Sequence, residues 1–207
     1  MKSIKYIRLN PEKLISKSKK YILEDKITSI IMKELYNIDI QYINPLDNYI
    51  FNDVRYQKIY TLFNFSTSDI FNNNFIYLDH DVIIDPSMIS LEKINFTYGL
   101  YKNKASACII DFKIINNYKK KFNKEYHKHY KNINYEEDIL TEIIKSIKNI
   151  KHITPLIIHY NTDVLMKFIL KHKNNLSTLN LLIKLTQELR REYEKNSRKI
   201  QYHRRSL

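Results

Sequence analysis

Hydrophobic and polar positions change period several times along this chain, and each change marks an element. Ile4-Lys5-Tyr6-Ile7-Arg8-Leu9 alternates and stops at Asn10-Pro11, which predicts a strand and a turn. Helical spacing follows in two stretches, about Glu12 to Leu23 and Asp25 to Tyr36, the second carrying Ile27, Ile30, Ile31, Met32 and Leu35 behind Asp25 as an expected cap. Ile38 to Ile43 alternates again and ends at Asn44-Pro45, a second strand. Asn52-Asp53 caps a helix that runs through Phe63. Arg55 and Lys58 share one face of it, where they either reach a phosphate or stay solvated. A strand, helices and a strand in succession predict an α/β sheet.

The stretch around which the rest is organised is Phe75 to Pro86. Strand-forming residues lead into Asp79 and Asp81, and the proline ends any pairing. On an extended chain alternate side chains leave on the same side, so the two carboxylates are expected close enough to share one divalent cation. Oxygen ligands of this kind suit Mg²⁺ or Mn²⁺, and such an ion would neutralise a diphosphate. The plainer reading is two aspartates ending a strand in water.

Beyond it, Gly99 marks a turn that needs positive φ, Ala105 to Phe112 reads as a strand of small then apolar residues, and Asn116 to Tyr130 as a helix. Glu136, Glu137 and Asp138 open a further helix, where the macrodipole alone favours acids. Pro155 to Asn161 is a buried strand bearing His159, and a lone histidine in such a place is more often a core residue than a ligand. The remainder is helical, with a stripe of Leu176, Leu179, Leu182, Ile183, Leu189 and Tyr193 and a basic end from Arg190 to Arg205. That end either lies on anionic lipid or nucleic acid or is simply solvated. Neither an internal repeat nor an interdomain linker is evident.

Composition narrows the chemistry. Of 207 residues, 43% are hydrophobic and 13% aromatic, enough for a core despite the many lysines and asparagines. A single glycine excludes a glycine-cradled phosphate site, so any phosphate must be held by metal, lysine, arginine or helix N-termini. The net charge of +13 implies an anionic partner without choosing among nucleic acid, membrane and phosphorylated substrate. Cys108, the sole cysteine, excludes an internal disulfide and reads as a core residue. No signal-peptide core and no run of about 18 apolar residues appears, so the expectation is a cytoplasmic protein, soluble or peripheral to a membrane.

Taken in order, these blocks resemble a metal-dependent nucleotide-sugar glycosyltransferase of the GT-A fold, most similar to glycosyltransferase family 8, which contains glycogenin and bacterial lipopolysaccharide galactosyltransferases. Asp53-Val54-Arg55-Tyr56 followed by Tyr77-Leu78-Asp79-His80-Asp81 resembles its helix and DxD motif. Ala105 to Lys113 resembles its small-residue strand, Tyr135-Glu136-Glu137-Asp138-Ile139-Leu140 its acidic helix start, and Ile157-Ile158-His159-Tyr160 its metal-binding histidine block.

The resemblance implies one Rossmann-like domain over residues 1–170, with a mixed, mostly parallel sheet flanked by helices, and a basic helical extension over 171–207. It implies Asp79, Asp81 and His159 as ligands of Mn²⁺ or Mg²⁺, with Arg55, Asp79, Lys104 and Lys167 around a nucleotide-sugar donor. Glu136, Glu137 and Asp138 become candidates for the opposite face of the sugar in a retaining transfer, to a glycan, lipid-linked or protein acceptor. The chain departs from the family at Lys104 and Ser106, and Lys167 takes the place of the family's lysine only with a shifted backbone.

Two other readings use different residues. Asp85 with Asp111-Phe112-Lys113 imitates the metal site of restriction-type nucleases, and the positive charge suits DNA. A noncatalytic basic module would bind nucleic acid or membrane through the C-terminal helix alone.

Overall fold

A computed structural model of the chain describes residues 5–46, 54–64, 75–88, 97–98, 100–101, 104–105, 110–111, 119–121, 123–124, 151–152, 156–158 and 161–205. Its centre is a four-stranded sheet. Strand β1 (Lys5–Leu9) lies between β2 (Ile40–Ile43) and β3 (Phe75–Tyr77), parallel to both, and β8 (Ile110–Asp111) adds an antiparallel edge beyond β3. Short pairs surround it: β4 (Val82–Ile83) with β10 (Leu156–Ile157), β5 (Thr97–Tyr98) with β9 (Lys151–His152), and the hairpin of β6 (Leu100–Tyr101) and β7 (Lys104–Ala105). The molecule is a mixed α/β structure built on a parallel sheet.

The alternating pattern correctly marks β1, but not what it faces. Tyr6 to Leu9 are all buried, as a strand covered on both sides requires. Arg8 is therefore an interior cation, wholly inaccessible to solvent.

One helix, α1 (Lys19–Tyr36), stands where two were expected. Only a short 3-10 turn, Pro11–Lys13, precedes it, opened by Asn10, whose side chain accepts from the Glu12 N–H at 3.1 Å. Asp25 is not a cap but an interior position of the helix. Its Oδ1 accepts from Arg8 Nη1 at 2.9 Å and its Oδ2 from the Tyr42 hydroxyl at 2.7 Å. A polar residue in mid-helix reads as a boundary only while its tertiary partners are unknown. The helix stops where Asn37 turns left-handed at φ 53° and the Ile38 N–H bonds back to Met32 O at 3.2 Å.

Helix α2 (Val54–Asn64) precedes β3 as expected. The expected strand through Asp81 does not form. β3 ends at Tyr77, and residues 79–82 make a tight turn in which the Val82 N–H bonds to Asp79 O at 3.2 Å. The expected strand from Ala105 to Phe112 is described only at its ends, in β7 and β8. Gly99, Cys108, the helix expected over 116–130 except residues 119–121 and 123–124, and the helix expected from Tyr135 lie outside the described residues.

Two helices complete the chain, α3 (Thr162–Lys171), capped by Asn161, and α4 (Leu179–Arg205). The apolar stripe read in the sequence packs: Leu176, Leu182, Leu189 and Tyr193, with Leu185 beside them, join one core with Leu23, Ile27 and Ile31 of α1, Ile76 of β3 and Leu165 and Ile169 of α3, and Leu179 and Ile183 pack half-buried against it. The Tyr193 hydroxyl donates to buried Glu24 at 2.6 Å, and Lys19 pairs with Glu188 at 2.6 Å. No helix among the described residues is long and apolar enough to cross a membrane.

Candidate active site

The chain leaves β1 for β2 on one side and returns to β3 on the other. Where parallel strands diverge in this way a crevice opens beyond their carboxyl ends, and α/β proteins bind ligands there. The carboxyl end of β1 is Leu9 and that of β3 runs into Asp79. Two hydrogen bonds stitch them together: Leu78 N–H to Ile7 O at 3.0 Å, and His80 Nε2 to Leu9 O at 2.8 Å.

Helix α2 sits against the segments leaving all three parallel strands. Gln57 Oε1 accepts from the Ile15 N–H after β1 at 2.9 Å, and Thr61 Oγ1 from the Leu46 N–H after β2 at 3.0 Å. Lys58, between them, forms a salt bridge with Asp79 after β3. Positions 57, 58 and 61 share a helical face, so one face of α2 binds the described segment after each of the three parallel strands.

Asp79 is the exposed member of the acid pair, with 26% of its side chain accessible, against 11% for Lys58. Both its described donors, the Lys58 ammonium and the His80 N–H at 2.9 Å, converge on Oδ1. No described residue bonds Oδ2. Burial alone would raise this carboxyl, but Lys58 overrides it and holds Asp79 well below the usual carboxylate range. Lys58 is in turn held protonated, its own burial outweighed by Asp79. The Tyr21 ring lies beside Lys58 and His80, 5.3 Å from Lys58 Nζ and 5.9 Å from the His80 ring.

His80 is a structural part of the turn. A carbonyl oxygen only accepts, so Nε2 carries the proton donated to Leu9. Burial first, then the field of Lys58 against that of Asp79, pushes the imidazole down to about 3. At neutral pH it is uncharged, and its 3.4 Å approach to Asp79 Oδ1 is not an ion pair. Asp81 is 7% exposed, and its carbonyl accepts from the Ile158 N–H at 3.0 Å. The turn thereby holds the chain one residue short of His159.

Among the sequence-predicted residues, the structure describes the Asp79 and Asp81 side chains at one turn. His159, Glu136, Glu137 and Asp138 lie outside the described residues, as do the side chains of Arg55 in α2 and Lys104 in β7. Lys167 is exposed on α3. Among the described residues no three His, Cys, Asp or Glu side chains cluster to hold a metal. Asp85, offered for a nuclease site, uses its carboxylate on the Ser87 N–H at 2.9 Å, and Asp111 pairs in register with Ile76, while Lys113 lies outside the described residues. Arg8, Tyr21, Gln57 and Thr61 were not legible as parts of the site. The only signal for the last two was their shared helical face with Lys58.

No family model and no curated protein matches the sequence. Two solved structures are similar to the chain in fold. One is a glycosyltransferase involved in the glycosylation of the major capsid of PBCV-1, at 12% identity and TM-score 0.46, over 73% of this chain and 81% of that one. The other is the glycosyltransferase GlyE of Streptococcus pneumoniae TIGR4, at 13% identity and TM-score 0.41, over 95% of this chain and 64% of that one. The functional reading rests on the acid turn itself.

Proposed function

We propose that this chain is a metal-dependent glycosyltransferase that takes a sugar from a nucleotide-sugar donor, with the donor diphosphate seated beyond the carboxyl ends of β1 and β3. The observation that carries the reading is the position of the acid turn. Asp79 projects a carboxylate, held ionised by Lys58, at the point where the parallel strands diverge.

The donor set suits a hard cation. Asp79 Oδ2 meets no described donor, and Asp81 supplies a second carboxylate two residues on. The Ile158 bond to the Asp81 carbonyl favours His159, next in the chain, as the third ligand. Bound there, Mn²⁺ or Mg²⁺ would neutralise the diphosphate and act as Lewis acid for its departure. The protein's own groups do the rest. Lys58 keeps Asp79 deprotonated and offers its other N–H donors to a phosphate oxygen. Neutral His80 fixes the turn against β1 without adding charge.

Glu137, with Glu136 and Asp138 beside it, is the candidate carboxylate for the far face of a developing oxocarbenium in a retaining transfer. Arg55, Lys104 and Lys167 are the remaining donor-binding candidates. The acceptor is a glycan, a lipid-linked sugar or a protein, and the basic end of α4 suits an anionic membrane surface.

The test is Mn²⁺-dependent hydrolysis of a panel of nucleotide sugars. Turnover of one of them, reduced at least about 100-fold in Asp79→Asn, is expected. No turnover of any, or metal-dependent DNA cleavage lost in Lys113→Ala, would contradict the reading.

A further inference from the structure

The turn that carries Asp79 and Asp81 is held from below by a cation that the functional reading leaves unused. Arg8 is wholly buried in β1, between Ile7 and Leu9. The two N–H groups of its Nη1 are shared among Asp25 Oδ1 at 2.9 Å, Thr28 Oγ1 at 2.8 Å and Ser29 Oγ at 3.0 Å, all on α1. Its Nη2 donates to the Val82 carbonyl at 3.1 Å, the residue that closes the acid turn. Thr28 completes the clamp by donating to His80 O at 2.7 Å. The turn is thus bonded to β1 through the His80 ring and through Arg8, and to α1 through Thr28 and the α1 partners of Arg8.

Stability alone is a poor reason for this arrangement. A buried ion pair seldom repays its desolvation, and an apolar residue of similar volume commonly folds as well or better. Here Arg8 Nε also finds no hydrogen-bond partner among the described residues. What an apolar side chain cannot supply is a rigid fork with one arm on α1 and the other on the Val82 carbonyl.

We propose that Arg8 is a positioning residue for the acid turn, fixing the backbone from which Asp79 and Asp81 meet a divalent cation. The inference rests on the metal-binding reading of that turn and adds to it the residue that sets its geometry. Lysine at position 8 would keep a counter-charge for Asp25, but a single ammonium cannot span both arms of the fork. Outer partners of metal ligands commonly change affinity 10–100-fold when removed.

The experiment is a Mn²⁺ titration of the full chain by calorimetry, with no donor present, on wild type, Arg8→Lys and Thr28→Val. Ile31→Val, a buried change on the same helix with no bond to the turn, serves as the control for destabilisation. The expected result is a Kd raised about tenfold or more in Arg8→Lys and in Thr28→Val, with Ile31→Val at the wild-type value. If Arg8→Lys does not fold, Thr28→Val decides the matter. Affinities within twofold of wild type in the folded turn variants would overturn the role of Arg8 while leaving the metal site standing. A similar loss in Ile31→Val would also overturn it. A wild-type chain that binds no Mn²⁺ would remove the functional reading, and the inference with it.

Discussion

Lys58 and Asp79 depend on each other beyond the carboxyl end of β3, and the consequence is measurable without any ligand. Lys58→Met leaves the Asp79 carboxylate with no described cation and should cost about 2 kcal/mol in urea unfolding, less than the roughly 3–5 kcal/mol of a fully buried pair because Asp79 is still partly wet. A change below about 0.5 kcal/mol would mean that the pair is only a surface contact. His80 gives a pH signature. Its folded pKa of about 3 lies below the ordinary 6.5, so between those values the unfolded chain binds the proton and the folded one does not. Stability is therefore highest above pH 6.5 and falls on acidification towards pH 3, by at most about 1.4 kcal/mol per pH unit for this one group. The depressed Asp79 carboxyl adds a loss in the same direction at the acid end. Urea midpoints at pH 7, 5 and 4 check this, and His80→Gln, which keeps an N–H for Leu9, should flatten the curve between pH 6.5 and 4. At this scale the sequence was half legible. Asp79 and Asp81 announce themselves as acids after an apolar run, whereas Arg8 occupies the place that an alternating pattern assigns to solvent. Only the packing of α1 over that face of β1, with Asp25, Thr28 and Ser29 turned towards it, makes that place interior.

Elements set these residues in position, and their errors of reading have one cause. β1, β2 and α2 were legible because their patterns agree with their caps and turns, and the stripe of α4 because its leucines keep one face. α1 reads as two helices in the sequence because Asp25 looks like a cap; it and its neighbours Glu24 and Thr28 are instead buried against partners from elsewhere, Arg8, Tyr193 and His80. The strand expected through Asp81 failed for the same reason. Its backbone finds better partners by turning, with the His80 carbonyl on Thr28 and the Val82 carbonyl on Arg8, than by continuing along β1. Tyr193→Phe tests the docking of α4 on α1. It removes the bond to Glu24 but little volume, and should cost about 1–3 kcal/mol in denaturant unfolding. No loss would show that the apolar stripe alone holds the helix.

At the scale of the molecule, sheet order and acid turn together make the functional argument. β2, β1 and β3 run parallel with the crossovers diverging at β1, and the sequence carries no trace of that order, since pairing depends on contacts distant along the chain. The composition had already removed glycine-loop phosphate binding, and the fold places a carboxylate and a lysine at the strand ends. The central claim is that a divalent ion and a diphosphate meet at Asp79. Thermal unfolding with Mn²⁺, with a panel of nucleoside diphosphates, and with both together measures it directly. Ligand at about 100 times its Kd adds about 2.7 kcal/mol, a rise of about 5–10 °C for a chain of this size. The account predicts such a rise with Mn²⁺ and one diphosphate together, and none in Asp79→Asn measured against its own ligand-free midpoint. An equal rise in Asp79→Asn, or no rise with any diphosphate, would contradict it.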